Sequence, residues 1–211
     1  PVYKNDPRVA EAKDQLHEAM PNLPDDAKTE RIVRCFLWIK DMFEADRIDT
    51  GAIHCWGEFH RYFGIAPCAF SMMANQVLGV PVVCEVDVCH AIMARLGWDM
   101  SGEAPVILDV NNNACDPRVF NVFHCSQTPP NWIKGDGTVC DYGSIQGAIA
   151  PEPFTGISAA TSGDAMHATV FQGHFLSDPV EPARGTSGWA FVPNFPEVLA
   201  QIEKTGIHHF V

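Results

Sequence analysis

Gly79-Val80-Pro81-Val82-Val83-Cys84-Glu85-Val86-Asp87 is a short apolar run that ends on two carboxylates. Its β-branched centre, set off by Gly79, reads as a buried strand over Val80 to Glu85. Val88 to Leu96 then reads as a helix. Upstream, Ala66 to Leu78 also reads as a helix, opened by Pro67 and stopped by Gly79. Asp49 to Cys55 reads as another short strand. Alternation of this kind predicts part of a parallel α/β layer. In open α/β sheets, ligands collect at the carboxyl ends of strands, where Glu85 and Asp87 stand. Asp87 suits the cap of the following helix. Glu85 lies too early for a cap, and is available to a metal ion or for proton transfer.

Working outward, Asp6 to Met20 reads as a helix, and Pro21 to Pro24 as a break. Asp25 is expected to cap a helix running to about Asp46, with Ile32, Cys35, Phe36, Ile39 and Phe43 on one face. Glu58 to Phe63 is expected to be a helix that ends at Gly64. Beyond residue 100 the texture changes. Gly and Pro, 16 of each, concentrate there, while most Lys and Arg lie before it. Apolar bursts (Pro105 to Val110, Val119 to His124, Ala168 to Phe175, Gly188 to Val192) alternate with turn clusters. Those clusters are Asn111 to Asn113, Lys134 to Gly137, Thr161 to Asp164 and Arg184 to Gly188. The pattern predicts an α/β part over 1–100 and an antiparallel β part, barrel or sandwich, over 101–211. A short helix over Pro196 to Lys204 and a last strand from Gly206 complete it. We find no internal repeat.

The chain has 211 residues, 46 % apolar and 19 % charged, which suits a folded core and excludes a disordered tail. The net charge of −12 disfavours nucleic acid and anionic membranes as partners. No apolar run has membrane-spanning length, and no basic-then-apolar leader opens the chain. It starts at Pro1 and stops on His208-His209-Phe210-Val211, ends expected of a piece of a longer protein. The eight cysteines (35, 55, 68, 84, 89, 115, 125, 140) show no two-residue spacing. They are expected to be reduced thiols, mostly buried, in a cytoplasmic protein.

Two further segments carry candidate chemistry. Val106-Ile107-Leu108-Asp109 repeats the design of an apolar strand ending in a carboxylate. In His208-His209, adjacent histidines on a strand point to opposite faces, so one could be a ligand and the other a neighbour. Two oxygen donors and an imidazole suit Mn²⁺ or Mg²⁺, with Mn²⁺ favoured. The competing classes are a metal-free sugar-binding protein, with Trp56, Trp98, Trp132 and Trp189 as stacking surfaces, and a metal hydrolase. Neither a Gly-x-Gly-x-x-Gly nor a P-loop sequence is present.

Read in order, several segments resemble the L-fucose isomerase / L-arabinose isomerase family. They are Ile53-His54-Cys55-Trp56, Gly64-Ile65-Ala66-Pro67-Cys68, Gly79 to Asp87, Asp109 and Gly206-Ile207-His208-His209. The similarity runs from about residue 27 to the end, and Gly-x-Pro-x-x-Cys-Glu-x-Asp is its most specific element. The resemblance implies the end of a Rossmann-like middle domain, then a β-barrel-like C-terminal domain incomplete at its end. It implies a Mn²⁺-dependent aldose–ketose isomerase assembled as a hexamer or another trimer-based homo-oligomer. Glu85 and Asp109 match the catalytic acids, and together with His209 they match the metal ligands. His208 and, in the arabinose branch, His124 match residues near substrate or metal. Because position 109 is Asp, His124 is expected to support the site from behind. His54 and Trp56 are further candidates for contact with the sugar. The family's chains are longer, so the piece is expected to be inactive alone.

Overall fold

The structure, a computed structural model, describes residues 3–135, 137–139, 143–177, 185–206 and 208–211. Asp136, Cys140, Arg184 and Ile207, named in the motifs above, lie outside the described residues. The first half runs α1 (Arg8–Ala19), α2 (Ala27–Asp46), β1 (Gly51–Ala52), α3 (Glu58–Phe63), α4 (Cys68–Leu78), β2 (Val82–Val83) and α5 (Val88–Ser101). The cap of α2 is Asp26, not Asp25, because its carboxylate accepts from the Lys28 and Thr29 amides. Asp25 instead pairs with Lys13. Gly64 and Gly79 take the left-handed conformation that ends α3 and α4, as their positions predict. β1 and β2 pair in parallel, Gly51 beside Val82 and Ala52 beside Val83.

The second half contains β3 (Leu108–Asn113), β4 (Val119–His124), a 3₁₀ turn (Pro130–Trp132), β5 (Thr138–Val139), β6 (Ile145–Ala148), β7 (Pro153–Ser162), β8 (Ala165–Phe175), β9 (Thr186–Phe191), α6 (Phe195–Thr205) and β10 (His209–Phe210). The strands form one mostly antiparallel sheet with the path β10-β3-β4-β9-β6-β5. β8 joins β9 and carries β7 as a long hairpin partner. The Thr161 to Asp164 cluster makes that hairpin's turn, although the sequence reading placed no strand over β7. The β6–β9 pair is parallel, a departure from a purely antiparallel layer. These named pairs do not close a barrel. Past the end of β10, however, Val211 exchanges two main-chain hydrogen bonds with Ile157 of β7, at 2.8 and 3.0 Å.

Among the described residues, three apolar clusters hold the fold, the smallest packing Val83 of β2 against Ala91 and Ala94 of α5 and Ile107. One packs α1, α2 and α4 through Leu16, Val33, Phe36, Phe70 and Met73, and takes in Ile133 and Ile145 from beyond residue 100. Another fills the sheet's inner face, with Phe120 stacked on Phe195 at 3.9 Å and Phe210 set among Phe154 and Phe171. Burying a side chain such as Phe120 stabilises the fold by roughly 1.5–3 kcal/mol. Inward positions on β4 alternate as Phe120, Val122 and His124, so a histidine occupies an otherwise apolar row.

Gly185, just ahead of β9, passes so close to β4 that a Cβ would press into the His124 carbonyl oxygen and the Cys125 backbone. Gly185→Ala is therefore expected to destabilise the protein by about 1–3 kcal/mol. Thermal denaturation of the variant checks this, and an unchanged melting temperature would contradict the packing described. Among the described residues, no helix is long and apolar enough to cross a membrane.

Candidate metal centre

β2 delivers its chain end into a tight turn. Glu85 and Val86 both take left-handed backbone, φ 62° and 58°. That conformation is costly for a β-branched valine, and such strain gathers at functional sites. The turn is clipped to the end of β1 by the Val86 amide donating to the Ile53 carbonyl at 3.2 Å, and closed by the Asp87 amide on Cys84. It sets Glu85 and Asp87 on the wall of a cleft of about 700 Å³, which also receives Asp109, His208 and His209. That volume is in the range of small-molecule sites.

The sheet brings the remaining pieces. β10 pairs with β3 so that His209 stands directly opposite Asp109. Side chains opposed across two strands meet, and these do: His209 Nε2 lies 2.9 Å from Asp109 Oδ1 and 3.4 Å from Glu85 Oε2. The other ring nitrogen, Nδ1, lies 2.8 Å from Asp87 Oδ2. Three sequence-predicted residues, Glu85, Asp109 and His209, thus converge on one ring nitrogen.

Asp87 does more than cap α5. Its Oδ1 accepts the His90 amide at 3.0 Å, the cap, while Oδ2 accepts from His209 and from His90 Nδ1 at 2.7 Å. His90 is fully buried, and its Nε2 accepts the Ala159 amide of β7 at 3.1 Å. That bond leaves Nδ1 as the protonated nitrogen facing Asp87. His90 and the orienting role of Asp87 escape the sequence reading. The one signal for His90 is its place three residues after a strand-end aspartate, at the first turn of a helix.

Asp109 Oδ2 accepts from His124 Nδ1 at 3.1 Å, so this carboxylate is held by an imidazole on each oxygen. His124 stands behind Asp109, and its Nε2 is buried with no partner among the described residues. Trp56 reaches the site, donating from Nε1 to Glu85 Oε1 at 3.4 Å. His208 is exposed on the cleft wall. His54 is exposed and is not among the residues lining the cleft. The tryptophans do not gather into a stacking surface. Trp132 donates to the Ala104 carbonyl and packs on Phe175, and Trp98 lies against Gly79. A smaller, mostly apolar cavity of about 360 Å³ between α5 and β7 is lined by Met93, Phe154 and Phe175, with Ser101, Glu103 and Thr155 also on its wall.

The electrostatics follow from this packing. Burial would lower the His209 pKa, but the hydrogen bonds and charges of Asp109 and Asp87 override it and raise it from 6.5 to about 10. Burial would raise that of Asp109, but bonds from His124 and His209 hold it down at about 2. Asp87 is lowered by the same balance, with burial opposed by His209 and His90. At neutral pH, His209 is therefore an imidazolium among carboxylates.

Linkage sets the sign. The stability from a raised His209 is complete below its ordinary 6.5 and disappears as pH rises through about 10. That from Asp109 is complete above its ordinary 3.8 and disappears as pH falls through about 2. The melting temperature of metal-free protein is thus expected to fall between pH 6.5 and pH 10, and His209→Gln to flatten the fall. Equal slopes in the two proteins would contradict the assigned pairing.

The donor set suits a hard divalent ion. Two carboxylates and an imidazole nitrogen are presented together, and the far nitrogen of that imidazole is fixed by Asp87, the arrangement that orients metal-binding histidines. Two groups of side chains gather ligand atoms all within 4.8 Å of one another: Asp87, His90 and His209, and Glu85, His124 and Cys125, with Asp109 beside both but in neither. Comparison with known proteins adds no relative, since no family model and no curated protein matches the chain.

Proposed function

We propose that the protein is a metal-dependent aldose–ketose isomerase of the L-fucose/L-arabinose isomerase kind, interconverting a free aldose and ketose through an enediol. The observation that carries the reading is the convergence of Glu85 and Asp109 on His209 Nε2, from segments far apart in sequence. Glu85, Asp109 and His209 would hold Mn²⁺, or Mg²⁺ in its place. When bound, the ion supplies positive charge that stabilises the developing enediolate.

The remaining work falls to the chain. One of Glu85 and Asp109 takes the proton from C2 of the aldose and returns one to C1, while the other moves a proton between O1 and O2 as the carbonyl shifts. His124 holds the unused oxygen of Asp109 and so aims its partner oxygen into the cleft. Asp87 holds His209, and Trp56 steadies Glu85. His208 on the cleft wall is placed to meet sugar hydroxyls.

The fold supports the same reading at finer grain. Parallel β1 and β2, in contact with α4 and α5, suit the end of a Rossmann-like domain over 1–100. The Ile157–Val211 pair, bringing β10 to β7, suits a barrel-like domain over 101–211. The cysteines at 35, 55, 68, 84, 89, 115 and 125 are free thiols, which suits the cytoplasm. A homo-oligomer is part of the proposal.

The test is isotopic. Full-length protein with Mn²⁺ in D₂O is expected to incorporate deuterium at C2 of a pentose or hexose it isomerises. Absence of exchange across the free aldoses and ketoses, with Mn²⁺-dependent ester or amide cleavage, would instead identify a hydrolase.

A further inference from the structure

We propose that Glu85, His124 and Cys125 form a second cation site, selective for a thiophilic divalent ion of the zinc class. Its ligand atoms come from two elements and lie within 4.8 Å of one another. The independent observation is His124 Nε2. His124 is 1 % exposed, its Nδ1 is engaged by Asp109, and its Nε2 has no partner among the described residues. A buried ring nitrogen left without a partner costs about 1–3 kcal/mol, and an ion would remove that cost.

Local structure explains how the three meet. β4 stops at His124, so Cys125 is released from the strand alternation that would send neighbouring side chains to opposite faces. Glu85 is thrown forward by its left-handed turn. The Asp109–His124 pair is a carboxylate–histidine arrangement that fixes the ring and raises its basicity as a ligand. A tetrahedral zinc-class ion with bonds of about 2.0–2.3 Å places its ligands roughly 3.3–3.8 Å apart. Since no pair is more than 4.8 Å apart, closure of at most about an ångström completes the site, and the exposed side of Glu85 leaves a fourth position to water.

The chemistry separates this site from the hard-ion centre. A thiolate favours Zn²⁺, Cd²⁺ and Co²⁺ over Mn²⁺ and Mg²⁺. On binding, the Cys125 thiol gives its proton to solvent. Where the Mn²⁺ reading above holds, Glu85 is common to both centres, and a thiophilic ion would compete with Mn²⁺ for it.

Co²⁺ titration tests the site. The full chain is expected to develop the near-ultraviolet sulfur-to-cobalt charge-transfer absorption at one equivalent. Cys125→Ser should abolish it, Cys115→Ser, at an exposed thiol outside the three ligands, should keep it, and His124→Gln should weaken Co²⁺ binding at least about 100-fold. Zn²⁺ should also protect Cys125 from alkylation in the unsubstituted chain, a readout that needs no variant to fold. No charge-transfer band with no protection, or a band that survives Cys125→Ser, overturns the proposal. Failure of the isomerase reading shows separately, as absent C2 exchange with Mn²⁺ while the cobalt band persists.

Discussion

If the proposed isomerase reading holds, Glu85→Gln, with saturating Mn²⁺, is expected to lower isomerisation by about 10²–10⁴-fold, the range of a lost general acid–base group. The substitution also removes a charged ligand, so any shortfall in ion binding adds to the loss. Asp109→Asn is expected to do the same, because Asp109 presents one oxygen to His209 Nε2 and is anchored by its other. His124→Gln is expected to leave substantial activity and weaken ion retention by about 10–100-fold, the usual effect of losing a group that only orients a ligand. The measurement is turnover of a candidate aldose. Near-normal rates in Glu85→Gln would remove the enediol assignment. A His124→Gln protein as inactive as Glu85→Gln would make His124 a direct ligand.

Asp87→Ala is expected to cost about 3–5 kcal/mol of stability, with Mn²⁺ affinity falling by 10–100-fold in the milder Asp87→Asn. The side chain is 9 % exposed and accepts three bonds, from the His90 amide, from His90 Nδ1 and from His209 Nδ1. Alanine leaves the buried His90 Nδ1–H, the partly buried His209 Nδ1–H and a helix start without their shared acceptor. Asparagine keeps the cap oxygen but turns an N–H₂ toward donors, so His209 loses the contact that fixes its ring. Denaturant titration and Mn²⁺ binding read the two effects. An Asp87→Asn protein that bound Mn²⁺ like the parent would show that His209 is oriented by other means.

The elements with local signatures were legible in the sequence. Gly64 and Gly79 ended their helices where a left-handed residue was needed, and Val119 to His124 formed a strand of the predicted length. The Asp26 cap was displaced by one position, because adjacent aspartates differ only in which one meets free amides. β7 was missed: its ten residues begin with Pro153 and carry Gly156 and small residues, and its pairing with β8 rests on partners rather than on an apolar run. At the site, Glu85 was visible as a carboxylate just past a strand end, but Asp109 stands second in β3, because Leu108–Asn113 pairs as strand where the sequence reading ended the strand at Asp109 and placed a turn over Asn111 to Asn113. His90 was not, since its role depends on Ala159, a contact spanning 69 positions that no local pattern encodes. His54 fitted a motif, yet it lies off the cleft.

β10 is only two residues long, yet it carries His209 back to carboxylates more than a hundred positions earlier. Closing so large a loop has an entropic cost that a two-residue pairing with β3 alone would barely offset. Val211, bonded to Ile157, and Phe210, seated among aromatic rings, supply the rest. The consequence is electrostatic. Before that segment docks, Glu85, Asp87 and Asp109 face one another without a counter-charge, and their repulsion opposes compaction there. The centre is therefore complete only once this long-range pairing is made, when β10 brings the positive charge that lets the acids settle.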